Sequence, residues 1–252
     1  MKFLKIVFAL VWVIASVLFS QLIIGSLMVF FLGKGIERPV WTAVYSALSY
    51  ALSFLLIAFV PPLIITKRRG LSKNKDTKIL LEKPNRVALG LKGLPTWTDI
   101  GLTLAGFVAY LLFAAIVTAI FSAFPWFNVE EVQELEFDTL IFGFDRVVAF
   151  ITLVVVAPIM EELIFRGWLY DKLRRILNDG LSNVMSMIIS ILLVSVLFGV
   201  LHMQWNVGIN VFALSVILCG LREITGTVYA GILLHMLKNG IAFYLLFILG
   251  IT

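Results

Sequence analysis

Long, uninterrupted apolar runs dominate the chain and are separated by short polar segments. Each run is long enough to cross a membrane as a helix, because about 20 apolar residues match the hydrocarbon core. Strands of a membrane barrel would alternate apolar and polar residues instead. The predicted helices cover residues 6–32, 41–65, 100–124, 147–177, 184–202, 207–221 and 227–251. The pattern predicts an all-α, polytopic membrane helical bundle with about eight transmembrane helices, the eighth arising if Asn239-Gly240 divides the last run.

Charged residues between the runs predict the orientation in the membrane. The segment 67–97 holds nine lysines and arginines against Asp76 and Glu82, whereas 125–145 holds six acidic residues and no basic one. Basic loops stay in the cytoplasm, so the N-terminus and loop 66–98 are predicted to be cytoplasmic. The acidic segment is then outside, where part of it could form an amphipathic surface helix. The first run continues past the length of a signal peptide, which predicts an uncleaved span.

Composition supports an integral membrane protein, and the lysine-rich style indicates a bacterial cell membrane. The chain is 61% hydrophobic and 14% charged, whereas a soluble domain has about 45–50% apolar and 25% charged residues. The net charge of +5 comes from loops and gives no evidence of nucleic-acid binding. The single cysteine, Cys219, excludes an internal disulfide.

Two adjacent glutamates, Glu161 and Glu162, interrupt the fourth run. Each charged residue near the membrane centre costs about 2.5–3.5 kcal/mol on insertion scales, so such groups have partners or do chemistry. On one long helix over 147–177, Glu162 faces Arg166 one turn later, while Glu161 points about 100° away. We expect Arg166 to neutralise Glu162 and Glu161 to face a cavity unpaired, as a general base. The alternative is an ion-pair cluster that anchors a helix end.

The two histidines of the chain also lie in apolar runs, each with a partner at i, i+4. Phe198 precedes His202, and His235 precedes Asn239. Counted along the helices at 1.5 Å per residue, Glu161, His202, His235 and Asn239 could share one buried layer, with His202 the worst fit. Together they could activate a water molecule and stabilise a tetrahedral intermediate. The alternatives are an interfacial histidine and simple interhelical hydrogen bonds.

The three motifs resemble the CPBP family, the CAAX-protease and bacteriocin-processing (Abi) intramembrane proteases. They read EELIFR, FGVLH and HMLKN, and the resemblance covers about residues 148–240. It implies an eight-helix intramembrane endopeptidase, with N-terminal spans and a basic loop over 1–98 and the protease core over 99–252. It also implies that Glu161 activates water with help from His202, and that His235 and Asn239 stabilise the oxyanion. Glu162, Arg166 and Phe198 would orient the site.

Metal use stays open at this point. The family is often called a metalloprotease family, although its better-understood members look glutamate-dependent. Two histidines and a glutamate could hold one zinc ion with an open fourth position. Glu161 would then be a ligand, and another group would have to act as the base.

The resemblance implies cleavage of a peptide or protein substrate in contact with membrane lipid. The predicted role is bacterial peptide, bacteriocin or surface-protein processing, or self-immunity, at a site open to the cytoplasm or laterally to lipid. One alternative is a non-catalytic scaffold or immunity protein that binds a peptide in the same cavity. A proton-coupled transporter would predict an inverted repeat, and none is apparent.

Overall fold

Helices account for the regular structure of the chain. The structure, a computed structural model, describes residues 2–33, 39–67, 75–128 and 143–250, and within these ranges there is no strand. The helices are α1 (Lys2–Leu32), α2 (Pro39–Lys67), α3 (Lys75–Leu81), α4 (Trp97–Phe121), α5 (Phe144–Asn178), α6 (Asn183–Val200), α7 (Trp205–Thr225) and α8 (Tyr229–Leu249). In these ranges seven helices, all but α3, are long and apolar enough to cross a membrane. The predicted polytopic helical bundle is confirmed.

The last apolar run forms one helix, so the described residues give seven spans rather than eight. Asn239 and Gly240 lie inside α8 without a break, and a Cβ atom added at Gly240 would lie 3.5 Å from Val154 of α5. The fourth run forms the single long helix that the pattern predicts, here α5. The predicted amphipathic helix of the acidic loop falls on residues 129–142, which lie outside the described ranges.

Successive long helices run antiparallel, which gives the bundle two distinct ends. At one end Lys75 pairs with Asp179 at 2.8 Å, and Tyr229 donates to the Gly93 carbonyl at 2.8 Å. We call this the basic end; it holds α3, the start of α8 and the last turns of α5 and α7. At the opposite end the rings of Phe150 and Phe243 lie 5.3 Å apart.

The two larger hydrophobic clusters of the described residues join most of the helices. The first joins α1 and α2 to α5 and α6 and contains the buried ring of Trp168. The second lies between α4, α7 and α8 and contains Tyr110 and Leu234. The first cluster therefore crosses the predicted boundary at residues 98 and 99, and that division of the chain stays a prediction.

Candidate active site

Two π-helical stretches in α5, Ile151–Val156 and Leu163–Leu169, flank the glutamate doublet. A π turn adds a residue to the helix and shifts its backbone hydrogen bonds, and such turns are frequent at functional sites. Here the Leu153 carbonyl accepts a hydrogen bond from the Asn239 side-chain amide at 3.0 Å. The irregular backbone of α5 thus holds Asn239 of α8 in place.

Glu162 forms the fully buried ion pair that the i, i+4 spacing predicts. Its Oε1 accepts from the Arg166 guanidinium at 2.9 Å, and neither side chain is exposed. The guanidinium lies over the Phe198 ring, 4.6 Å from its centroid. The same Oε1 lies 3.2 Å from Nδ1 of His235. Glu162 therefore links Arg166 to His235, and Phe198 packs beneath this ion pair.

Glu161 is buried but has partners, which corrects the prediction of an unpaired carboxylate. Its Oε1 accepts a hydrogen bond from the Tyr50 hydroxyl of α2. Its Oε2 lies 3.7 Å from Nε2 of His235. The prediction was wrong because helical spacing describes only α5, whereas both partners come from other helices. The carboxylate is held between α2 and α8.

His202 lies in the turn that follows α6. Its Nδ1 is 2.8 Å from the Phe198 carbonyl, and a carbonyl can only accept, so this bond places a proton on Nδ1. Burial lowers the pKa of His202, against the opposing effect of the Glu161 charge. The neutral ring then carries its lone pair on Nε2, which suits hydrogen bonding to a water molecule.

One cavity of about 230 Å³ brings the predicted site residues together. Its polar lining consists of Tyr50, Glu161, His202, His235, Lys238 and Asn239. Glu162 and Arg166 lie behind this lining, against Phe198. Lys238 carried a signal in the sequence, because it is the sole charged residue of its apolar run and such charges indicate function. Tyr50 carried none.

The cavity lies toward the end of the bundle opposite the basic end. Its wall includes Val207 near the start of α7 and Phe247 near the end of α8. Toward the basic end, the neighbouring residues Arg166, Trp168 and Leu218 are buried. This placement favours access from the end opposite the basic end over the predicted opening to the cytoplasm, and the predicted lateral opening to lipid stays a prediction. The distances counted along each helix from the sequence estimate how deep each residue lies in the membrane. They do not show from which membrane face the cavity is reached.

The zinc site considered from the sequence would take Glu161, His202 and His235. Among the residues that the structure describes, no three His, Cys, Asp or Glu side chains are grouped so that they could hold a metal ion. The observed arrangement therefore does not fit a zinc site.

The helices that carry most of these residues match a known protein family. Residues 143–241 match the family described as Rce1-like, type II CAAX prenyl endopeptidase Rce1-like. This segment of the chain is similar to that family. This confirms the resemblance seen in the three motifs and supports a protease embedded in the membrane. The Rce1-like segment contains α5 to most of α8 but not Tyr50. Comparisons with curated proteins and with solved structures gave no match.

Proposed function

We propose that this protein is an intramembrane endopeptidase that cleaves a peptide bond with a water molecule activated by Glu161. The observation that carries the proposal is the shared cavity of Glu161, His202, His235 and Asn239. A carboxylate, a neutral imidazole and an amide donor in one secluded space supply a base, a water-binding group and an oxyanion donor.

The chemistry proceeds without a covalent enzyme intermediate. Glu161 takes a proton from water, and the oxygen of that water forms a bond to the carbonyl carbon. His202 Nε2 accepts a hydrogen bond from the same water and orients it. When the C–N bond breaks, the proton held by Glu161 passes to the departing amine. Water thus ends as one oxygen of the new carboxylate and as protons on the products.

Asn239 and His235 stabilise the oxyanion that forms at the carbonyl oxygen. One N–H of the Asn239 amide is held by Leu153, and the other remains for the oxyanion. His235 is oriented by Glu162 at its Nδ1, so its Nε2 donates to the oxyanion when the ring is an imidazolium. Glu162 and Arg166 fix this ring without touching the substrate.

The substrate is a peptide or protein segment that approaches from the membrane face opposite the basic end. The proposal combines the position of the cavity with the positive-inside rule, which assigns the basic end to the cytoplasm. An exported peptide, a bacteriocin or a surface protein would present its cleavage site on that face. We propose a role in their processing or in self-immunity, in a bacterial cell membrane.

Cleavage tests this function with purified protein in lipid nanodiscs and a library of quenched fluorescent peptides. We expect cleavage by the wild type, none by Glu161→Gln, and one ¹⁸O atom per new carboxylate in H₂¹⁸O. Cleavage measured with a chelator, and again after zinc is added back, tests whether the reaction uses a metal. Wild-type protein that binds peptides without cleaving them would identify a scaffold or immunity protein instead.

A further inference from the structure

Tyr50 contributes to the cavity from outside the Rce1-like segment. It lies in the middle of α2, among small and apolar side chains, and its ring lines the cavity. Its hydroxyl donates a hydrogen bond to Oε1 of Glu161. A helix that the family match does not cover therefore contacts the carboxylate on which the proposed chemistry depends.

This contact makes the two oxygens of Glu161 different. Oε1 is occupied by the Tyr50 hydroxyl, whereas Oε2 faces His235 of α8 at 3.7 Å. Lys238 of α8 and His202 after α6 line the same space. Water that enters the cavity therefore has Oε2 as the available oxygen of this carboxylate.

We propose that Tyr50 is a positioning residue that holds Glu161 so that Oε2 accepts the proton of the attacking water. The proposal rests on the proposed function. Tyr50 gives up no proton: its O–H bond persists while one proton moves from water to Oε2 and then to the leaving amine. Its hydrogen bond prevents rotation of the carboxylate and keeps Oε2 directed at the water in each turnover.

The first test is kinetic and uses Tyr50→Phe, which removes a single oxygen atom. Hydrogen bonds to charged groups contribute about 1.5–3 kcal/mol, so we expect kcat to fall roughly 10- to 100-fold while KM changes less than about twofold. Tyr110→Phe is the matched control, because Tyr110 packs between α4, α7 and α8 away from the cavity. A kcat for Tyr50→Phe within about twofold of wild type would overturn the proposal.

The second test needs no substrate and separates this proposal from the proposed function. Infrared difference spectra of the full protein in nanodiscs identify the Glu161 carboxylate band as the one lost in Glu161→Gln. We expect this band to shift in Tyr50→Phe and to remain in place in Tyr110→Phe. An unshifted band in Tyr50→Phe would refute the contact. A shifted band with no cleavage by wild type would refute the proposed function and the positioning role, but leave the contact standing.

Discussion

Neighbouring glutamates in α5 have different surroundings, and the difference comes from their partners. Glu162 contacts Arg166 and His235, and the Arg166 guanidinium lies over the Phe198 ring. Glu161 lines the cavity and is held by Tyr50. A carboxylate committed to a guanidinium cannot also serve as a base, so the proposed chemistry belongs to Glu161.

Substitution of each glutamate by glutamine separates these two roles. Glu161→Gln is expected to abolish cleavage while the folded protein remains as stable as wild type within about 1 kcal/mol. Glu162→Gln leaves Arg166 buried without its ion-pair partner, which costs about 3–5 kcal/mol. Thermal unfolding in detergent and cleavage rates measure both effects. Equal stability of Glu162→Gln and wild type would contradict the structural role of this ion pair.

His202 predicts a pH-dependent stability. Burial lowers its pKa in the folded protein, whereas an unfolded histidine titrates near about 6.5. The unfolded chain therefore binds more protons between these two values, and stability falls as pH decreases through that window. Above pH of about 6.5 this contribution to stability is fully present.

Melting temperatures between pH 7.5 and 5.5 measure this dependence. His202→Asn is expected to show a shallower fall than wild type, since asparagine does not titrate. The prediction fails if both proteins lose stability with the same slope.

At the scale of helices, α6 and α7 cross where two glycines meet. A Cβ atom at Gly199 would lie 2.7 Å from the Gly208 carbonyl oxygen, and one at Gly208 would lie 2.9 Å from the Gly199 carbonyl oxygen. Neither oxygen can move without its helix. Because His202 follows Gly199 by three residues, the crossing also positions the histidine in the cavity.

Gly199→Ala is therefore expected to destabilise the protein by about 1–3 kcal/mol and to lower the cleavage rate. Gly220→Ala is the control on α7, since no atom beyond the adjacent residues and backbone of its own helix lies within 4 Å of its added Cβ. Thermal unfolding and cleavage are measured for both variants. Similar behaviour of the two would indicate that the crossing tolerates a wider separation.

The sequence predicted the seven long helices and the i, i+4 partners because both depend on one helix at a time; the short α3 lies in the segment predicted as a loop. The pairing of Glu162 with Arg166 is of this kind. Contacts between helices were harder to predict from the sequence. Nothing in the run around Tyr50, for example, distinguishes it from a tyrosine that faces lipid. The two π turns were also missed, because periodicity in an almost wholly apolar run gives no signal for one added residue.

At the scale of the whole molecule, buried residues that include Trp168 lie on the side of Glu161 toward the basic end. If water reaches the cavity from the membrane face opposite the basic end, a membrane-impermeant maleimide should reach the same positions from that face. Leu246→Cys, in the cavity wall, should be labelled from outside intact cells. Lys92→Cys, at the basic end, should be labelled after permeabilisation alone. The native Cys219 is fully buried, so it gives little background.

If Lys92→Cys were labelled in intact cells and Leu246→Cys were protected, the protein would have the opposite orientation in the membrane to the one proposed. Protection of Leu246→Cys under both conditions would show that the cavity is closed to water. The variants differ from wild type at positions outside the proposed catalytic group, so cleavage by each serves as a check of folding.

Because of its two π turns, α5 directs the side chains of its middle segment differently around the helix axis than a regular helix would. One residue corresponds to about 100° of rotation and 1.5 Å of rise in an α-helix. Deleting one residue within Ile151–Val156 would restore a regular helix there but turn Glu161 relative to the segment that Asn239 contacts. Insertions and deletions in α5 are therefore tolerated far less than substitutions, because the number of residues between Leu153 and Glu161 sets the position of Glu161 relative to Asn239.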